Sequence, residues 1–332
     1  MKHKKLNKSH RVKQVKIAFT NKPITAWGGI GSLIAQFLER IEFREWTESS
    51  IPIKETSNNS GGIYEKVLSL FLTVLVGGDR FSHLSWWGHG VEAIQVAFSV
   101  KWFPAAASTM TRFWGKINKQ SLANHLGDKA RALTKMIVEW EGITKDNLNL
   151  DSTVLTRYGN QEGAKKGYNP KKRGRPSHHP ILAFLGSGHV VNIRNRPGDT
   201  FSGHQAKDFF IQSLTNLGDN FRVRRVLCDS GFYNIDFINY LESESYRYIM
   251  GVPIWQIFQR EIQRLKDWEQ IEEGIDITEF KFEHIDNKWT FPRRYVVVRQ
   301  EIAKRPKASG KQLSLFQEIE ELKGYRYSLM IT

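Results

Sequence analysis

From Trp27 to about Gly142 apolar residues recur at helical intervals; Ile30, Leu33, Ile34, Phe37, Leu38 and Ile41 follow an i, i+3, i+4, i+7 rhythm. A polar break, Ser57-Asn58-Asn59-Ser60-Gly61-Gly62, precedes an apolar helix over 63–76. After Pro104, Ser108 or Thr109 is placed to cap a helix over 110–117, and a long amphipathic helix is predicted from about Gln120 to Trp140. Near Asn147 the period changes to two. Strands are predicted at about 148–155, 180–185, 189–194 and 224–229, with helices at about 204–217 and 234–243 and a further strand from Tyr246 to Val252. Beyond Pro253 the pattern predicts a helix over 255–268, alternating runs at 275–282 and 289–299, a polar loop over 304–312 and a last strand over 325–331.

Charge adds what the pattern lacks. The 332 residues carry 49 Lys plus Arg against 34 Asp plus Glu, a formal charge of +15. Such a balance points to a polyanion, either nucleic acid or an anionic membrane surface. Residues 1–20 hold seven bases and no acid, and residues 165–176 hold six more (Lys165, Lys166, Lys171, Lys172, Arg173, Arg175), again with no acid. Without those thirteen, 36 bases face 34 acids, so nearly all the excess lies in two short segments. That concentration is the footprint of a ligand rather than of diffuse solubilising charge. The longest apolar run, 67–76, is too short for a bilayer, and the basic N-terminus leads into no apolar signal core. Cys228 is the only cysteine, which excludes an intramolecular disulfide and a cysteine-rich zinc site. The expectation is a soluble, intracellular protein of about two domains.

Two aspartates carry the candidate chemistry. Asp151 lies in the alternating run Leu148-Asn149-Leu150-Asp151-Ser152-Thr153-Val154, and Asp229 closes the apolar run Val226-Leu227-Cys228-Asp229-Ser230-Gly231-Phe232. Acids at strand ends are costly to bury unless paired, hydrogen-bonded or metal-bound. Two of them in one basic domain suggest a hard divalent cation and phosphodiester chemistry. The alternative is that Asp151 caps a turn and Asp229 caps the following helix. Between them, Tyr158-Gly159-Asn160-Gln161-Glu162-Gly163-Ala164-Lys165-Lys166-Gly167-Tyr168-Asn169-Pro170 reads as a loop whose glycines Gly159, Gly163 and Gly167 permit close approach or positive φ, with Glu162 making a structural hydrogen bond. Lys171-Lys172-Arg173-Gly174-Arg175-Pro176 has an Arg-Gly-Arg-Pro core like an AT-hook, or is a connecting loop that touches the DNA backbone. His178-His179 and the His83/His89 pair have no cysteine or acid at ligand spacing and read as packing residues. A helix opening near Ser108 would carry Arg112 and Lys116 on one face, either for DNA or as a plain bundle helix.

Together these segments resemble the DDE transposases of bacterial insertion sequences, specifically the insertion sequence family 1380, from about Trp27 to Thr332. The resemblance implies an α/β fold: a ribonuclease-H-like (retroviral-integrase-like) catalytic core with a β-rich insertion, preceded by an all-helical N-terminal domain. The corresponding divisions are a basic arm at 1–25, a helical DNA-binding domain at 26–145, the core at 146–253 and the β-rich insertion at 254–332. It further implies that the first and fourth core strands are neighbours and that Asp151 and Asp229 are catalytic, holding Mg²⁺ or Mn²⁺. Lys165, Lys166, Lys171, Lys172, Arg173, Arg175, Arg112 and Lys116 would hold double-stranded DNA, both element ends and target, with a homodimer as a further partner and no membrane. The setting would be the nucleoid of a bacterial cytoplasm.

The family pattern places a third acid on a helix after the insertion, and Glu242, Glu244, Glu261, Glu269, Glu272 and Glu273 all lack that setting. The expectation is therefore a chain truncated before its third acid, able to bind DNA and poor at cleaving it. Three alternatives stay open on sequence. One is a truncated DNA-binding regulator of transposition. Another is a metal-dependent phosphohydrolase, since 148–154 resembles the Asp-x-Asp-x-Thr/Val run of haloacid-dehalogenase-like phosphatases, although Asn149 stands at the nucleophile position. The last is a nuclease completed by Glu261.

Overall fold

The computed structural model of the chain describes residues 30–55, 60–88, 91–170, 172–284, 289, 291–302 and 324–332. The basic arm, His89, Lys171 and the 304–312 loop lie outside them. The chain divides into two compact units, one running to Ala130 and the other from Arg131 to Thr332.

Among the described residues the elements of the first unit are helical: α1 (Ala35–Arg40), α2 (Phe43–Ser50), α3 (Ile63–Leu75), a 3₁₀ turn (Phe81–Gly88), α4 (Val91–Ala97), α5 (Ala107–Trp114) and the start of α6 (Gln120–Trp140). α3 shows why. Tyr64, Leu68 and Leu72 recur at four-residue spacing on its buried face. Thr73 on the same helix accepts the buried Trp87 indole N–H at 2.8 Å, so a large aromatic is buried without leaving a bare donor. The expected cap of α5 is not made. The helix begins a turn early, at Ala107, behind an extended Ala106 with no side-chain cap, because Ser108 and Thr109 already lie inside the helix.

The second unit is built on one nine-stranded sheet, ordered β6-β5-β1-β7-β8-β12-β11-β10-β9. Its strands are β1 (Lys145–Ser152), β5 (Ile181–Leu185), β6 (Val190–Arg194), β7 (Arg222–Cys228), β8 (Tyr248–Val252), β9 (Glu269–Glu272), β10 (Ile275–Phe282), β11 (Arg293–Glu301) and β12 (Tyr325–Ile331). β1, β7 and β8 run parallel, whereas β5 is antiparallel to β1 and β6 to β5. The first five strands of the sequence prediction thus stand in the order 3-2-1-4-5, with the first and fourth adjacent as a ribonuclease-H-like core requires. β12 pairs antiparallel with β8, so the β-rich segment continues the core sheet rather than forming a sheet of its own.

Alternation decides which face is covered. Leu148 and Leu150 of β1, Val226 of β7, Tyr248 and Met250 of β8 and Leu329 and Ile331 of β12 are buried. They join one core with Phe209 and Phe210 of α7 (Ala206–Leu217), Phe237, Ile238 and Leu241 of α8 (Ile235–Ser243), and Phe258 and Ile262 of α9 (Gln256–Arg264). Asn234 starts α8 by accepting the N–H groups of Asp236 and Phe237, a cap of the expected kind. The opposite positions, among them Asn149, Phe184, Leu227, Ile249 and Met330, are half-buried.

Three short strands fall outside the sequence prediction: β2 (Leu155–Thr156), β3 (Lys165–Lys166) and β4 (Pro176–His178) form a small sheet ordered β2-β4-β3. Lys165–Lys166 and Pro176–Ser177 therefore pair as the arms of a β-hairpin, where the sequence predicts a connecting loop. Polar and basic composition hid it, since no apolar alternation marks strands of two residues. Among the described residues no helix is long and apolar enough to cross a membrane.

Candidate active site

Leu150 pairs with Cys228 across β1 and β7, so Asp151 and Asp229 follow in consecutive register at the C-terminal ends of two parallel strands. Neighbouring strands lie about 4.8 Å apart, and residues in equivalent register share a face. Both carboxylates border an open cleft of about 450 Å³ with Asn149, Phe184, Ile249, Gly251 and Met330, on the less covered side of the sheet. Gly251 matters here because a Cβ at its position would meet Ser230 N at 2.8 Å; glycine lets β8 pack against the turn after Asp229.

Each aspartate uses one oxygen locally. Asp151 Oδ1 accepts the Ser152 N–H at 2.7 Å, and Asp229 Oδ1 accepts the Gly231 N–H at 3.0 Å, capping the turn Ser230–Phe232. Local capping is thus real, and it leaves the second oxygen of each without a hydrogen bond among the described residues. Partial burial raises the pKa of Asp229, and the Asp151 carboxylate raises it further, against the opposing Gly231 N–H and His179. A repelling carboxylate pair of hard oxygen donors, each with an uncommitted oxygen, fits a divalent cation of the Mg²⁺ or Mn²⁺ kind. Among the described residues no third His, Cys, Asp or Glu joins them in a metal-holding group.

Residues that the sequence assigns no role at the site organise the rim. His179 is buried; its Nδ1 bonds to the Thr200 carbonyl at 2.5 Å and its Nε2 to Ser152 Oγ at 3.0 Å. Ser152 Oγ in turn contacts Ser202 Oγ at 2.7 Å. This chain links the residue after Asp151 to the loop beside Gly231. Arg196, also buried, holds that loop by donating to the carbonyls of His179, Phe201, Ser202 and His204 at 3.0–3.4 Å. Burial, with the Arg194 charge beside it, pushes its guanidinium down to about 10. Of these only the His178-His179 doublet stands out in the sequence, and it carries hydrogen bonds rather than zinc. His178 Nδ1 accepts from Arg157 Nε at 2.9 Å, so its Nε2–H donates to the Glu162 carbonyl. Glu162 therefore acts through its backbone. Cys228 packs as a thiol, its pKa pushed up by burial.

The small sheet rises from the Asp151 end of β1, since β2 begins three residues after Ser152 and β4 leads through His179 into β5. Gly163 has a φ of +73°, and a Cβ on Gly167 would overlap the Gly198 carbonyl, so both glycines are required; Gly159 is under neither constraint. Lys172, Arg173 and Arg175 are exposed on the hairpin, as is Lys166. Lys165 is paired with Asp199 at 3.4 Å. In the other unit Arg112 is exposed, whereas Lys116 is held by Glu55 at 2.8 Å. Burial raises the Glu55 pKa, but hydrogen bonds from Lys116 and Lys66 outweigh it and lower the carboxyl overall.

A family model described as "Transposase DDE domain group 1" matches residues 8–308. Among solved structures the chain is similar to the piggyBac transposase in a cryo-EM synaptic complex with hairpin DNA, at 13% identity and a TM-score of 0.37, over 90% of this chain and 60% of that one. It is also similar to the Mos1 transposase in a paired-end complex with the left transposon end, at 11% identity and a TM-score of 0.23, over 64% of this chain and 66% of that one. The chain thus spans less than two thirds of either protein's length. No curated protein matches the sequence.

Proposed function

The chain belongs to the transposase DDE domain group 1 family, and from that premise we propose that Asp151 and Asp229 are two acids of a transposition site that acts on the ends of a bacterial insertion sequence. The finer assignment is the insertion sequence family 1380, with duplex DNA as substrate at element ends and target, a homodimer as the assembly and the bacterial nucleoid as the setting. The observation that carries this reading is the register of the two aspartates, side by side on parallel strand ends, with a basic hairpin rising from the same end of the sheet.

In this reading Asp151 and Asp229 would hold Mg²⁺ or Mn²⁺, and the bound ion would supply Lewis-acid stabilisation of the reacting phosphoryl oxygens. The chain's own residues position the DNA. The Gly231 N–H fixes Asp229, and the Ser152–His179 hydrogen bond fixes the backbone that carries Asp151. Arg196 braces the 201–204 loop beside them. Lys166, Lys172, Arg173 and Arg175 supply charge for the phosphate backbone.

Among the described residues no third acid joins these two, and positioning is most of what such a site contributes. The 332-residue chain is therefore proposed to bind element ends without cutting them, which also fits a DNA-binding regulator that occupies the ends. The nuclease reading loses its support, because Glu261 is paired with Arg264 at 2.8 Å and joins no cluster with the two aspartates. So does the phosphatase reading: Asn149 donates its amide to the Phe184 carbonyl and is no nucleophile.

The test uses purified residues 1–332 with duplexes from the DNA immediately flanking the gene, and a supercoiled plasmid carrying both flanks. A gel shift with no nicked circles in Mg²⁺ or Mn²⁺ is expected. Metal-dependent nicking abolished by Asp229→Ala would show that another group completes the site. Absence of any shift would remove the DNA-binding reading.

A further inference from the structure

At the opposite end of the sheet from the aspartates, the starts of β1, β7 and β8 enclose a second concavity, an open cleft of about 710 Å³. Lys145, Arg222, Arg224, Arg225 and Arg247 line it, against a single acid, Glu244. Strand pairing assembles them: Lys145 is in register with Arg222, and the Val226 N–H bonds to the Arg247 carbonyl, which sets Arg225 and Arg247 side by side. Arg225 is half-buried and the other four bases are exposed. None of the five makes an ion pair among the described residues, although like charges this close repel and a solvated surface ordinarily intersperses acids. On the same unit Arg264, Arg293, Arg294 and Arg299 each have a carboxylate partner.

We propose that this cleft grips the sugar-phosphate backbone of duplex DNA, at a place separate from the Asp151/Asp229 site. Five unneutralised bases in a concave setting concentrate positive potential. Arginine in particular matches phosphate with its planar fork of donors. From Lys145 to Asp151 is six residues of strand, about 20 Å at ~3.3 Å per residue. A phosphate held in the cleft is therefore not the one that reacts. It belongs either to the same duplex about six base pairs away, at ~3.4 Å per step, or to a second duplex. The inference takes its ligand class from the proposed function but not its site, so the two can fail separately.

Arg222, Arg224, Arg225 and Arg247 are replaced together by alanine in the full chain, and the affinity for a random-sequence 30-base-pair duplex is followed by fluorescence anisotropy across salt concentrations. Every phosphate that the variant no longer neutralises should lower the slope of log K against log salt by ~0.9, up to ~3.6 for all four arginines. An equal charge removal elsewhere, at the exposed Arg260, Lys266, Lys281 and Arg326, should leave the slope within ~0.9 of wild type. The fourfold arginine-to-lysine variant of the cleft should keep most of the slope, which separates an effect on phosphate binding from an effect on folding. Equal slopes for the two alanine sets would reduce the effect to net charge and overturn the proposal. If the wild-type chain binds no duplex, both the cleft and the proposed function fall; if it binds and only the cleft set is silent, the cleft alone falls.

Discussion

Arg196→Ala is expected to lower the unfolding free energy by about 2–4 kcal/mol, a large effect for one residue whose side chain touches no acid. Its guanidinium donates to four carbonyls, those of His179, Phe201, Ser202 and His204. The His179 carbonyl is bonded in a buried place and the other three in partly buried ones, so each carbonyl left bare costs at most ~1–3 kcal/mol. Against this stands relief of the buried charge, whose pKa is pushed down to about 10. Relief of that penalty offsets only part of the loss, because four carbonyls lose their donor at once. Urea unfolding should show a lower midpoint at unchanged slope. Arg196→Lys should recover only part, because a lysine cannot reach four divergent acceptors from one planar group. A loss below about 1 kcal/mol would mean that the 201–204 loop does not depend on this brace.

The second large effect is on DNA binding. Alanine at Lys171, Lys172, Arg173 and Arg175 is expected to lower the salt slope by up to ~3.6, one increment of ~0.9 for each phosphate contact. Between 50 and 200 mM salt this shrinks the change in affinity by roughly 150-fold. An unchanged slope would show that the hairpin makes no contact with DNA. Lys165 is left out because Asp199 already holds it, and Lys116 because Glu55 does.

Much of the second unit is legible in the sequence because its strands alternate. Leu148 and Leu150 inward with Asn149 and Asp151 outward can be read directly from the letters, and so can the apolar run that ends at Asp229. What alternation cannot supply is neighbourhood. The adjacency of β1 and β7 came from the family resemblance, and the register Leu150 to Cys228 came only from the structure. The hairpin strands β3 and β4 were hidden because two or three polar residues carry no period. Arg196 was hidden because its partners are backbone carbonyls, which leave no mark on composition. The basic cleft was hidden for a third reason: its residues come from 145, 222–225 and 247, and counting charge along the chain dilutes them among acids that the fold carries elsewhere. Charge density in sequence finds contiguous segments, whereas the end of a sheet gathers charge from strands far apart in the chain.

Asp151 and Asp229 forming one divalent-metal site is the claim on which the proposed function turns. A Mn²⁺ titration of the DNA-free chain, followed by electron paramagnetic resonance, tests it without relying on cleavage. Wild type should bind Mn²⁺ saturably and weakly. Asp151→Ala and Asp229→Ala should each weaken that binding by more than about tenfold, since loss of even an outer-shell partner costs ~10–100-fold, while the hairpin variant should match wild type. Wild-type Mn²⁺ binding retained in both aspartate variants would contradict the account.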